Sequence, residues 1–189
     1  MSEQDTKSRK NGAQAPIMEQ DRVGAGMARW RRELPDVDCS GKSVVGRLFF
    51  LNEVFLAAVE RTLAPYGLRY AEFAVLATLR VEGAPYRLSP KALLDTLILT
   101  SGGLSNILKR LEARGLVRRL ADDKDGRGVI VELTQDGRRE VEPAMRDHAE
   151  TERNLIAALS GSQADAVAKA LARLTRAAEQ ARANGQDGN

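Results

Sequence analysis

Apolar residues recur at spacings of three and four along most of the chain, the mark of helices with one buried face. Val44, Leu48, Leu51, Phe55, Val59 and Leu63 form the longest such stripe and predict a helix over about 40–64, stopped by Pro65 and Gly67. A shorter helix is expected over 21–33, ahead of Leu34 and Pro35. Phe73, Leu76 and Leu79 mark the inner face of a helix over 70–81, which ends in Glu82-Gly83-Ala84-Pro85. Ser89 and Pro90 read as an N-cap with proline at the first helical position, opening a helix to about Leu97. Thr100 or Ser101 caps the next, which runs to Arg114 and closes at Gly115. Beyond Gly115 the period changes. Residues 116–120 and 128–133 read as two short strands joined by a turn over 122–127. Thr134 and Asp136 open a long helix to about Leu159. Ser162 to Asp165 resembles a capping box for a last helix with the stripe Val167, Leu171, Leu174 and Ala178. Residues 1–20 and 184–189 are polar, lack apolar anchors and are expected to be disordered.

Composition agrees with a mainly helical chain carrying one small β-hairpin. Apolar residues make up 43% and aromatic residues only 4%, so the core is built from Leu, Ala and Val, and unbranched side chains favour helix. The single cysteine, Cys39, excludes an internal disulfide and permits the cytoplasm. No apolar run reaches the length of a membrane span, and residues 1–20 lack a signal-peptide core. A soluble, cytoplasmic protein is the expectation.

Helix, short turn, helix and two-stranded hairpin is the order of a winged helix-turn-helix, whose second helix enters the DNA major groove by its N-terminal residues. Those residues here are Thr100, Ser101, Ser105 and Asn106, whose hydroxyls and amide suit bases and phosphates. Gly102 and Gly103 weaken a helix by roughly 1 kcal/mol each relative to Ala. Their place in its first turn makes sense if the backbone must come close to another surface. Between 100 and 119, Lys109, Arg110, Arg114, Arg118 and Arg119 stand against Glu112 alone, an excess larger than the whole chain's net charge of +3. Charge clustered in this way is the electrostatic footprint phosphate requires. A solvated amphipathic helix followed by a hairpin explains the charge equally well. The element order favours DNA.

Residues 99–119 (LTSGGLSNILKRLEARGLVRR) resemble the recognition helix and first wing strand of multiple-antibiotic-resistance-regulator (MarR) proteins. Residues 122–138 (DDKDGRGVIVELTQDGR) resemble that family's wing and the start of the following helix, and the similarity extends over about 30–174. The resemblance implies a winged helix-turn-helix with terminal dimerisation helices, in which residues 67–138 bind DNA. Residues 21–66 and 139–183 dimerise, and 1–20 and 184–189 are flanking arms. It further implies a homodimer on pseudo-palindromic double-stranded DNA. Its implied DNA contacts are Ser89, Lys91, Thr100, Ser101, Gly102, Ser105, Asn106, Lys109 and Arg110. Arg127 would enter the minor groove, held by Asp123.

Trp30 and the segment 35–47 resemble a MarR subgroup with an extra N-terminal helix, near the urate-responsive regulators. The ligand pocket implied for that subgroup uses a tryptophan, an aspartate and two arginines. Trp30 and the wing-strand Arg119 match, whereas Ala74 stands in place of the aspartate, beside Phe73, and Ile107 in place of the recognition-helix arginine. A repressor released by a small aromatic acid is therefore expected rather than one that senses urate. Trp30 is equally explained as a staple for its own helix.

Cys39 just ahead of a helix raises an alternative, a redox-sensing regulator. His148, between Arg146 and Glu150, is expected on an exposed face, and no clustered ligands suggest a metal site. No cofactor motif is present. An enzyme is excluded by inventory: there is no Gly-x-Ser-x-Gly, no Cys-x-x-Cys and one histidine. Gly41-Lys42-Ser43 mimics the end of a phosphate loop, but Asp36 fills the place of its first glycine and no strand precedes it. A helical protein-interaction module is the other competing reading.

Overall fold

The computed structural model of the chain describes Met18 and residues 20–121 and 128–186. It forms two compact units divided between Val54 and Phe55, and α2 (Lys42–Leu63) contributes to each.

The first unit holds α1 (Arg22–Glu33) and the N-terminal part of α2. Asp21 caps α1, accepting from the Gly24 N–H at 2.8 Å, and its other oxygen accepts from Arg47 Nε at 2.7 Å. Arg47 also donates to the carbonyls of Ser43 at 2.6 Å and Met18 at 2.8 Å, so one side chain binds the start of α1 to α2. The two helices pass closely at Gly46, where a Cβ would sit 3.0 Å from Val23 Cγ1.

The second unit contains the rest of α2, a 3-10 turn (Ala64–Tyr66), α3 (Tyr70–Val81), β1 (Arg87–Leu88), α4 (Pro90–Thr96) and α5 (Ser101–Ala113). β2 (Val117–Ala121), β3 (Val129–Leu133), α6 (Gln135–Leu155) and α7 (Gly161–Gln186) follow. The sheet is antiparallel in the order β1-β3-β2, with Val117 opposite Leu133, and Arg87 and Arg118 both opposite Glu132. Leu63, Val75, Leu76, Leu79, Leu93, Leu111, Val131 and Val141 are all fully buried in one core beneath it.

The hairpin and the helices fall where periodicity predicts them, with four differences. β1 is unanticipated, because two residues are too few to show alternation. α6 stops at Leu155 rather than near Leu159. The cap of α7 is Ser160, not Ser162: the Ser160 N–H donates to Gln163 Oε1 at 2.9 Å, and the Gln163 N–H returns a bond to Ser160 Oγ. At its far end α7 continues through 184–186, where disorder was expected, since the run of Ala, Arg and Gln before it has high helix propensity.

The junction of α5, β2 and α6 explains why a glycine follows Thr134 by three residues. Gly115 ends α5 with a left-handed backbone, φ +72°. The Thr134 hydroxyl donates to the Gly115 carbonyl at 2.7 Å, and its oxygen accepts from the Gly137 N–H at 3.0 Å. The Thr134 N–H meanwhile bonds to the Leu116 carbonyl at 3.1 Å. This presses the first turn of α6 onto the strand entry, so that a Cβ at Gly137 would collide with the Leu116 carbonyl and lie 2.7 Å from Leu133 Cδ1.

The long stripe on α2 divides. Val59 and Leu63 are buried in the second unit, whereas Val44, Leu48 and Leu51 stay exposed. α7 has no buried residue among its described side chains, and Val167, Leu171 and Leu174 all lie open to solvent.

Candidate nucleic-acid interface

α4 and α5 form the two helices of a helix-turn-helix. Ser89 caps α4, accepting from the Ala92 N–H at 3.1 Å, with Pro90 at its first position. Thr100 caps α5, accepting from the Gly103 N–H at 3.1 Å. Leu104, Ile107, Leu108 and Leu111 bury one face of α5, which leaves Ser101, Gly102, Ser105, Asn106 and Lys109 on the exposed side. Lys91 is exposed on α4. The two glycines differ. A Cβ at Gly103 would meet Thr100 Oγ1 at 3.0 Å, so the cap itself accounts for that residue. At Gly102 a Cβ would meet nothing within 4 Å, and packing within the chain gives no reason for a glycine there.

The basic cluster is less free than its sequence suggests. Arg110 Nε donates to Glu72 Oε1 at 2.7 Å, and Arg114 pairs with Glu140 and donates to the Gly67 carbonyl. Arg118 is joined to Glu132 Oε1, with Nε at 3.0 Å, and Arg119 Nε lies 3.5 Å from Glu112 Oε2. Lys109 has no ion-pair partner among the described residues. Arg110 is thus first a strut between α5 and α3, although about half of its side chain remains exposed. Linear counting misses this because most of the partner carboxylates lie far away in sequence.

Two buried glutamates anchor these struts. Burial pushes the Glu72 carboxyl up. The Arg110 hydrogen bond, the Arg69 backbone N–H and the charges of Arg110 and Arg114 outweigh it and hold the group below its ordinary value. Glu132 behaves alike: burial raises it, and hydrogen bonds from Arg87 and Arg118 with their charges bring it lower. A depressed folded-state value stabilises the fold above the ordinary value of 4.5, and that contribution is lost as pH falls through the lower folded value. Glu132→Gln should therefore reduce stability in urea at pH 7, and variant and wild type should converge as the pH falls below the folded value. A gap that persists unchanged into acid would contradict the pairing.

Of the residues singled out for a ligand, Phe73, Ala74, Ile107 and Arg119 lie in the second unit and Trp30 in the first. Phe73 and Ile107, each 5% exposed, belong to the core of the second unit, and Ala74 is half-buried. Trp30 lies in the first unit with Lys42 Nζ 4.3 Å from its ring centroid. His148 is not on an exposed face. Its ring lies 4.7 Å from that of Phe73 and 6.3 Å from that of Tyr70, with Nδ1 3.5 Å from Glu152. Residues two positions away project to other sides of a helix, so Arg146 and Glu150 were poor guides to it. Cys39 is 8% exposed. Asp123 and Arg127 fall outside the described residues. No group of His, Cys, Asp or Glu suited to a metal occurs among the described residues, and no helix there is long and apolar enough to cross a membrane.

Residues 66–128 match the MarR family model. The chain is 34% identical over 132 residues to the HTH-type transcriptional regulator PecS of Dickeya dadantii, which covers 70% of this chain and 80% of PecS. The chain belongs to the MarR family. It is a DNA-binding transcriptional regulator with a winged helix-turn-helix, not an enzyme. A MarR structure similar in fold is a mutant of the E. coli protein complexed with operator DNA, with TM-score 0.64, 24% identity and coverage of 77% of this chain and 96% of that one. Bordetella bronchiseptica BpsR, whose DNA binding is regulated by 6-hydroxynicotinic acid, has TM-score 0.64 and 26% identity, covering 69% of this chain and 92% of that one.

Proposed function

We propose that this MarR-family regulator is a cytoplasmic homodimeric repressor of a pseudo-palindromic operator, released by a small aromatic acid. The observation that carries the DNA-reading part is the exposed polar edge of α5 set on a fully apolar inner face. In this reading Ser101, Ser105 and Asn106 address base edges, while Thr100, Ser89, Lys91, Lys109 and the free edge of Arg110 hold phosphates. Gly102 lets the sugar–phosphate backbone approach α5, which supplies the reason for a glycine that packing lacks. Arg127, steadied by Asp123, reaches the minor groove. Residues 67–138 form the reading head, and 21–66 and 139–183 dimerise through the apolar side chains exposed on α2 and α7. A dimer places two heads about one helical turn apart.

BpsR supports an aromatic acid as the class of effector, because its DNA binding responds to one. Within this chain Arg119 offers the cation. Its one ion pair among the described residues, to Glu112, is long at 3.5 Å, so a ligand carboxylate with a charge-assisted bond displaces it readily. Ala74 and Ile107 supply no polar group to read a purine's NH and oxo edges, and unpaired polar atoms on a buried ligand are costly. A benzoate-, phenolate- or indole-type acid should therefore release the protein from DNA, measured by fluorescence anisotropy, at concentrations where urate has no effect. Arg119→Ala should bind DNA and ignore the acid. Tighter calorimetric binding of urate than of every simple aromatic acid would sink this effector class.

A further inference from the structure

We propose that Ile98, in the turn between α4 and α5, reads a thymine through its C5-methyl group, so that an apolar contact shares in selecting the operator. The proposal rests on the DNA-reading role given to α5 above.

Ile98 is 95% exposed, more than any other large apolar side chain among the described residues. The exposed apolar residues of α2 and α7 sit in stripes with apolar neighbours. Ile98 does not. Leu97 and Leu99 on either side pack against the core of the second unit. Leu97 has extended backbone, φ −107° and ψ 146°, and the Leu99 N–H turns back to the Leu97 carbonyl at 2.9 Å. This tight turn sends two leucines inward and the isoleucine between them outward. Two residues on, Thr100 caps α5, and Ser101 and Gly102 open its exposed edge. Ile98 therefore stands at the approach to the helix end that faces the groove.

A protein partner does not account for it. A stable protein interface needs on the order of 1,000 Å², and the flanking residues are turned into the core or are polar. A thymine methyl does. In the major groove it is the one apolar group on a base edge, and apolar side chains use it to tell thymine from the other bases. The β-branched side chain suits the task, since its restricted χ1 leaves little rotamer freedom to lose on contact.

The test uses the full chain and a duplex that it selects from a random-sequence pool. Each thymine is replaced in turn by deoxyuridine, which removes only the methyl group. One thymine in each half-site should then cost the wild type about fourfold in affinity, the worth of one buried methyl group. Ile98→Ala should lose affinity for the unmodified duplex and show no further loss at that one thymine, while other positions respond as in the wild type. Equal uracil sensitivity in both proteins at every position would overturn the proposal, as would an equal loss by Ile98→Ala on all duplexes, which indicates sugar packing. Failure of the wild type to select any sequence would instead remove the DNA-reading role itself.

Discussion

Replacing Leu171 and Leu174 together by Glu is expected to yield monomers that hold operator DNA no more tightly than a single head does. Both leucines are exposed on α7, a long helix with no buried residue among its described side chains. A helix of that kind is marginal in water unless its apolar face is covered, because packing rather than propensity supplies most helix stability. Covering a leucine is worth about 1.5–3 kcal/mol, and each change counts twice in a two-fold interface. The double change therefore removes roughly 6–12 kcal/mol of association. It also strands carboxylates against apolar surface. Sedimentation should report a monomer or unfolded chain, with operator affinity reduced to that of a single head. A native dimer that still binds DNA would show that α7 is not the contact.

Gly137→Ala and Gly102→Ala should act in opposite directions although both remove a glycine from the first turns of a helix. At Gly102 the added methyl meets open space, so the fold gains about 1 kcal/mol of helix propensity. At Gly137 it meets the Leu116 carbonyl, a backbone atom fixed by the Thr134 N–H, and Leu133 Cδ1 at 2.7 Å. Overpacking of this kind costs typically 1–3 kcal/mol and more where backbone must move, so a net loss of about 3 kcal/mol is expected, with Val worse. Urea unfolding separates the two. Should Gly137→Ala prove as stable as Gly102→Ala, the docking of α6 on the strand entry would be wrong. On DNA the order reverses for Gly102→Ala: a more stable fold binds its operator less well, since the methyl occupies the path of the sugar–phosphate backbone.

Much of the architecture is legible in the residues themselves. Ser89-Pro90, Thr100 and Gly115 mark helix ends through local chemistry, and the structure places those boundaries within a residue of where that chemistry predicts. Leu76 and Leu79, at helical spacing, fall in the core as their pattern requires. What escapes the sequence is long-range pairing. Glu72 lies 38 residues from Arg110, and Glu132 lies 14 from Arg118, so the basic cluster looks freer on paper than it is. Glu132 does carry a signal in retrospect, a charged residue between Val131 and Leu133 in a short strand. Ile107 lies in the core, as its helical spacing from Leu104 and Leu111 requires. The same spacing, applied to Ala144 rather than to Arg146, would have placed His148 on the packed side of α6.

Sequence-selective duplex binding by the full chain, titrated across salt concentration, tests the central claim most directly. A duplex selected from a random pool and an unselected duplex of equal length should both lose affinity linearly in log salt, with the selected one bound about 10³-fold or more tightly at physiological salt. Asn106→Ala should narrow that margin by about 1–3 kcal/mol while leaving the salt slope intact, as expected of a base contact. Arg127→Ala should instead flatten the slope by about one unit and weaken both duplexes. Equal affinity for the two duplexes at every salt concentration, or binding to neither, would contradict the assignment of α5 as a recognition helix.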